Sequence, residues 1–101
     1  MNKRSYKDLI LVLIYKSNGK WSWYQIERAL DLRGIGGRVN SVEKINTLMQ
    51  EGLVKQLQTP NKNLSSYSIT EQGKIKVQQL IEEFGAESFV TTQQNPDDYE
   101  L

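Results

Sequence analysis

Between Ile45 and Gly73 the chain reads INTLMQEGLV and then KQLQTPNKNLSSYSITEQG. This run constrains the fold more than any other, because it specifies a helix, a glycine stop, a β-hairpin and a new helix start in that order. Val42, Ile45, Leu48 and Met49 recur at helical spacing and gather on one side of a cylinder, leaving Glu43, Lys44, Thr47, Gln50 and Glu51 on the other. Gly52, lacking a Cβ, can take the left-handed conformation that closes a helix. Leu53, Val54 and Leu57 then follow in a stretch suited to a strand. Thr59-Pro60-Asn61-Lys62-Asn63 supplies a turn, and Tyr67 and Ile69 alternate with Ser66 and Ser68 in the returning strand. Thr70 offers a side-chain oxygen to cap the helix that begins near Glu71.

The rest of the chain supplies the elements that such a run needs. Ser5 followed by Asp8 reads as a helix cap, and Leu9, Ile10, Val12, Leu13 and Ile14 make a strongly apolar first helix that ends at Asn18-Gly19. Lys20-Trp21 is too short for an independent strand but can pair with the hairpin. Ser22-Trp23-Tyr24-Gln25 is a Ser-x-x-Gln capping box that opens a second helix, whose inner stripe is Ile26, Ala29 and Leu30. Leu32 lies near its end. Gly34, Gly36 and Gly37 then interrupt the pattern, and Ile35 between them can plug the core. Asn40 with Glu43 is a further cap, so that the third helix begins between Gly37 and Ser41. Helices two and three joined by a Gly-containing turn form a helix-turn-helix unit. The Gly-x-Gly-Gly stretch follows a helix rather than a strand, so it reads as a loop and not as a dinucleotide fingerprint. The expected fold is mainly α with a small β-hairpin: helix, short strand, helix, helix, hairpin wing, helix. The domain is expected to span residues 1–84, with its last helix over about 71–84 and an acidic, flexible tail over 85–101, within which Phe89-Val90 and Tyr99 with Leu101 can dock locally.

At 101 residues with 38% hydrophobic content, the chain has room for one modest core. It contains no cysteine and no histidine. No disulfide framework or thiolate ligand is available, the commonest transition-metal ligand is missing, and a reducing, cytoplasmic setting fits. The carboxylates Asp8, Glu27, Asp31, Glu43 and Glu51 stand singly among basic or polar neighbours. No nucleophile and base are paired, so neither an enzyme nor a cofactor is expected. The most apolar run, Leu9 to Tyr15, is far shorter than the roughly 20 residues of a bilayer span, so no membrane is expected either. The formal charge of +1 hides an asymmetry. All 13 Lys and Arg lie between Lys3 and Lys76 against six acids, a net +7 for the body, while the chain from Gln78 onward carries six acids and no base. A basic body attracts phosphates, and an acidic end is held away from them or competes with them. The same distribution also serves plain solubility.

Ile45 to Val54, together with Tyr67-Ser68-Ile69-Thr70-Glu71-Gln72-Gly73, resembles the winged helix-turn-helix transcriptional regulators of the PadR and MarR type. Those families pair a recognition helix ending in an acidic-Gly-Leu-aliphatic step with a wing leading into a Tyr-x-Leu-Thr-x-x-Gly helix start. The resemblance covers roughly Ser5 to Leu80, and Tyr24-Gln25-Ile26 is similar to the Tyr-x-Ile segment of PadR proteins. Two features depart from it: the third helix lacks the Ser-x-x-Thr-Leu-Tyr opening of PadR proteins, and the wing tip carries Lys62 without an arginine.

The resemblance implies sequence-specific binding of double-stranded DNA, with the third helix in the major groove and its N-terminal turns nearest the bases. Asn40, Ser41, Glu43, Lys44 and Thr47 are then the candidate readers: Asn for adenine, Thr for a thymine methyl, Glu for cytosine or merely the cap. Arg33 and Arg38 flank the turn and suit phosphate or guanine. Asn61, Lys62 and Asn63 in the wing and Lys55 beside it suit the backbone or the minor groove, and Ser22 with the start of helix two is a further phosphate anchor. Turn geometry accounts equally for Asn61 and Asn63. PadR and MarR proteins use terminal helices to dimerise, which implies that Ile75, Val77, Leu80, Ile81 and Phe84 pair two copies so as to read a pseudo-palindrome; packing on the first helix is the competing role. The alternative function is a protein–protein interaction module without DNA binding, suggested by the near-neutral total charge and the aromatic cluster from Trp21 to Tyr24.

Overall fold

A computed structural model describes residues 4–17, 19–35, 37, 40–58, 65–90 and 99–100. Its elements are β1 (Arg4–Ser5), α1 (Tyr6–Ser17), α2 (Trp23–Leu32), α3 (Ser41–Gln50), β2 (Val54–Gln58), β3 (Ser65–Ile69), α4 (Glu71–Phe84), α5 (Glu87–Val90) and β4 (Tyr99–Glu100). The organising element is α1. Leu9 through Ile14 are all buried, so this helix is apolar all round rather than on one stripe, as a helix surrounded by other elements must be. It contacts α2, α3, α4 and β3. Its start is fixed by Ser5, whose Oγ accepts the Asp8 N–H at 3.0 Å.

The second and third helices end in the same way. At the end of α2, the Ile35 N–H donates to Leu30 O at 3.1 Å and the Gly34 N–H donates to Asp31 O at 3.0 Å, with Gly34 at φ 76°. At the end of α3, the Leu53 N–H donates to Leu48 O at 3.0 Å and the Gly52 N–H donates to Met49 O at 3.1 Å, with Gly52 again at φ 76°. Both are Schellman closures, in which a left-handed residue satisfies two orphan carbonyls and turns the next, apolar residue inward. Ile35 enters the core fully buried, so it does plug the helix-turn-helix corner. Leu53 packs against the core edge and leads into the wing.

β2 and β3 pair antiparallel in the register Val54↔Ile69 to Gln58↔Ser65. Lys20-Trp21 does not form a regular strand, but the Tyr67 N–H donates to Trp21 O at 3.3 Å, so among the described residues the expected third edge of the hairpin survives as one backbone bond. β3 departs from simple alternation, because Ser66 and Ser68 are buried as well as Tyr67 and Ile69. Ser68 lies beside Gly19, where a Cβ would be 3.2 Å from Leu57 Cδ1 and 4.0 Å from Ser68 Cβ. The helix-to-wing and wing-to-helix joints meet at Thr70. Its Oγ accepts the Gly73 N–H at 3.0 Å and donates to Gly52 O at 2.6 Å, joining the N-cap of α4 to the residue that closes α3. A cap of this kind contributes about 1 kcal/mol.

Beyond Gly85 the described chain returns to the core. Phe89 is fully buried and meets Phe84 edge-on with ring centroids 6.0 Å apart. β4 pairs in parallel with β1, Arg4 opposite Tyr99, and Tyr99 stacks on Tyr6 at 5.1 Å. The Arg4 guanidinium lies 4.8 Å from the Tyr99 ring centre and 5.9 Å from that of Phe89, a cation–π arrangement that joins the two ends of the chain.

Candidate nucleic-acid interface

α3 places its side chains by helical phase, and the inner row departs from the sequence expectation in its first turn. The buried row is Ser41, Ile45 and Leu48, while Val42 stands 42% exposed. Hydropathy favours Val42 over Ser41 as a core residue, but Asn40 sets the start of the helix. Its Oδ1 accepts the Glu43 N–H at 3.1 Å, which makes Ser41 the first helical residue, and the spacing i, i+4, i+7 from there leads to Ile45 and Leu48. Only the first-turn member of the stripe changes: Ser41 takes the inward place expected of Val42, while Ile45 and Leu48 are buried and Met49 packs against the core as expected. On the opposite side Glu43, Asn46 and Gln50 are exposed, Lys44 and Thr47 lie half-buried along one border, and Val42 lies along the other. Asn46 is the residue that sequence reasoning misses. The signal that could find it is the cap, which fixes the phase of everything after it.

Two of the expected readers already carry intramolecular bonds. The amide oxygen of Asn40 accepts in the cap, so the orientation of that amide is set by the helix start. The Thr47 hydroxyl donates to Glu43 O at 3.1 Å, which spends its donor within the helix and leaves its methyl as the group to offer outward. Ser41 and Ser22 are both buried. The Ser22 N–H donates to Gln25 Oε1 at 2.9 Å in the expected capping box, so Ser22 positions the first turn of α2. What that end exposes is Trp23 and Tyr24, in an edge-on pair at 5.9 Å. Trp21, by contrast, packs against the core.

Arg33 stands half-buried at the end of α2. Its Nη1 donates to Ala29 O at 3.0 Å, and burial pushes its pKa below the usual guanidinium value, with Tyr99 partly offsetting that shift. Lys55 is exposed on β2, opposite Ser68 in register. Arg38, Asn61, Lys62 and Asn63 lie outside the described residues. Of the side chains expected to pair two copies, Val77 and Leu80 belong to the chain's own core and Ile81 and Phe84 pack against it, leaving Ile75 at 57% exposure as the outward apolar residue. Among the described residues there is no group of three or more His, Cys, Asp or Glu placed to hold a metal ion, and no helix long and apolar enough to cross a membrane.

No protein-family model matches the chain, and no curated protein matches it by sequence. Solved structures do match by shape. The crystal structure of the transcriptional regulator SlyA superposes with a TM-score of 0.67 at 20% identity, over 77% of this chain and 52% of SlyA, so the chain spans about half of that protein's length. The complex structure of hsRosR-S1 superposes with a TM-score of 0.63 at 19% identity, over 85% of this chain and 76% of that one. The helix-turn-helix corner closed by Gly34 and Ile35, the exposed row on α3 and the β2–β3 hairpin thus belong to a winged-helix domain of the fold that SlyA has.

Proposed function

We propose that this chain is a sequence-specific, double-stranded DNA-binding transcriptional regulator with α3 in the major groove. The observation that carries the reading is the outer row of α3, Glu43, Asn46 and Gln50, which stands exposed on a helix whose inner row is locked into the core. A rigid helix with a polar outer face, set on the second arm of a helix-turn-helix, is the shape that major-groove readout requires. The basic body supplies the non-specific attraction, through phosphate contacts and counterion release. A homodimer on a pseudo-palindrome is the matching assembly, and its α4 contact would centre on Ile75.

The test is titration of the folded chain against a randomised duplex library, followed by the salt dependence of the selected site. Lys44→Ala and Lys55→Ala are each expected to weaken binding severalfold regardless of sequence and to lower the slope of log K against log salt by about 1. A chain that binds no duplex at low salt would sink the proposal. The second reading, docking on another protein, is favoured by one observation: the surface of α2 exposes Trp23, Tyr24 and Leu32, three large apolar side chains on a short helix. Stoichiometric co-purification of a protein that covers α3, without DNA affinity, would favour it.

A further inference from the structure

We infer that α3 reads adenine–thymine pairs, with Asn46 and Gln50 as the adenine readers and Thr47 as a thymine-methyl contact. This rests on the DNA-binding proposal above and goes on to name the base chemistry of the same site. Guanine is most often recognised by Arg or Lys donating to O6 and N7. The ten residues of α3, SVEKINTLMQ, contain one base, Lys44, and it stands half-buried at the border of the outer row rather than at its centre.

What the centre carries is amide chemistry. A side-chain amide donates through its NH2 and accepts through its C=O, matching the N7 acceptor and N6 donor of adenine in the major groove. Asn46 and Gln50 are four residues apart, one turn of helix, so they stack along the same face and address neighbouring base steps. Asn40, the other amide near this face, has its oxygen bound by the Glu43 N–H, so its amide is oriented by the cap rather than free to turn to a base. Thr47 donates its hydroxyl to Glu43 O, so its methyl is the group left to pack on a thymine C5 methyl. Glu43 can only accept, from an exocyclic amino group, and its charge disfavours the phosphates on either side.

Chemically altered duplexes test this against variants. The site selected by the wild-type chain is expected to hold A·T pairs beneath α3. Replacing an adenine there with 7-deazaadenine, which deletes N7, should weaken wild-type binding about 5- to 100-fold. It should cost the chain carrying Asn46→Ala or Gln50→Ala little more than that variant has already lost. Replacing thymine with uracil deletes only the methyl and should weaken the wild type severalfold but leave Thr47→Ser unaffected, because serine keeps the hydroxyl bond to Glu43 O and lacks the methyl. Asn46 and Gln50 are exposed, and Thr47→Ser removes a single methyl from a half-buried position, so the variants should keep a Tm close to that of the wild type. Specific binding with a G·C consensus under α3, or indifference to 7-deazaadenine, overturns the inference while leaving DNA binding standing. Absence of any duplex binding overturns both.

Discussion

Replacing Gly73 with alanine is expected to destabilise the domain by about 3 kcal/mol or more, lowering Tm by over about 10 °C in thermal unfolding. Gly73 lies in the first turn of α4 with ordinary helical backbone, so left-handed freedom is not what the position requires. It requires space. A Cβ there would overlap the Leu53 carbonyl and lie 2.8 Å from both Cγ1 and Cδ1 of Ile69. Ile69 can shift a side chain, but Leu53 O is backbone, already accepts the Thr70 N–H at 3.1 Å and sits directly after the α3 closure. Relief would have to move α4 away from the wing and strain the Thr70 bonds at the same time. Gly34→Ala is the comparison: a Cβ at that position would meet no heavy atom within 4 Å, and the cost there should be only the left-handed penalty of about 1–2 kcal/mol. Equal losses at the two sites would show that crowding at Gly73 is not the cause.

The same junction explains why the fold can be read from so short a segment. Apart from Tyr67, each residue of the acidic-Gly-Leu-aliphatic step and of the Tyr-x-Ile-Thr-x-x-Gly step that carries the pattern has a partner in the other or in α1. Glu51 pairs with Lys7 at 2.7 Å, Gly52 closes α3 and accepts from Thr70, the Leu53 carbonyl takes the Thr70 N–H, and Val54 stands opposite Ile69. Tyr67 is buried against the body, and Gly73 lets the two steps touch. Residues constrained from several sides leave a pattern of recognisable types. The reading surface has no such constraint. Val42 and Ser41 compete for one inward position, and hydropathy points to the wrong one because the serine is held inward by the helix start rather than by its own apolarity. Arg33 suits a phosphate and a helix end equally well as a residue type, and its bond to Ala29 O is not legible in that type. Val77 and Leu80 have the periodicity of any apolar face, which a second copy could cover as well as the chain itself; what covers that face here is α1.

Phe89→Ala is expected to cost about 3–5 kcal/mol, as large a loss as any single core truncation in the domain, although it lies beyond the last long helix. The ring is fully buried, meets Phe84 edge-on and lies near Arg4, so its removal leaves a cavity lined by α4 and by the start of the chain. Thermal unfolding should show Tm falling by more than about 12 °C. Ending the chain after Gly85 should lower it further, because the stacking of Tyr99 on Tyr6 is lost as well. An unchanged Tm in the shortened chain would mean that the segment contributes nothing to the core. The consequence reaches the charge asymmetry, since six acids lie from Gln78 onward and four of them follow Gly85. Truncation would remove packing and negative charge together, so any gain in DNA affinity could not be ascribed to charge. Asp97→Asn with Asp98→Asn in the full chain separates the two, because Phe89 and Tyr99 are both kept. If acidity restrains binding, that variant should bind duplex severalfold more tightly at low salt and show the difference shrinking as salt rises, with Tm unmoved.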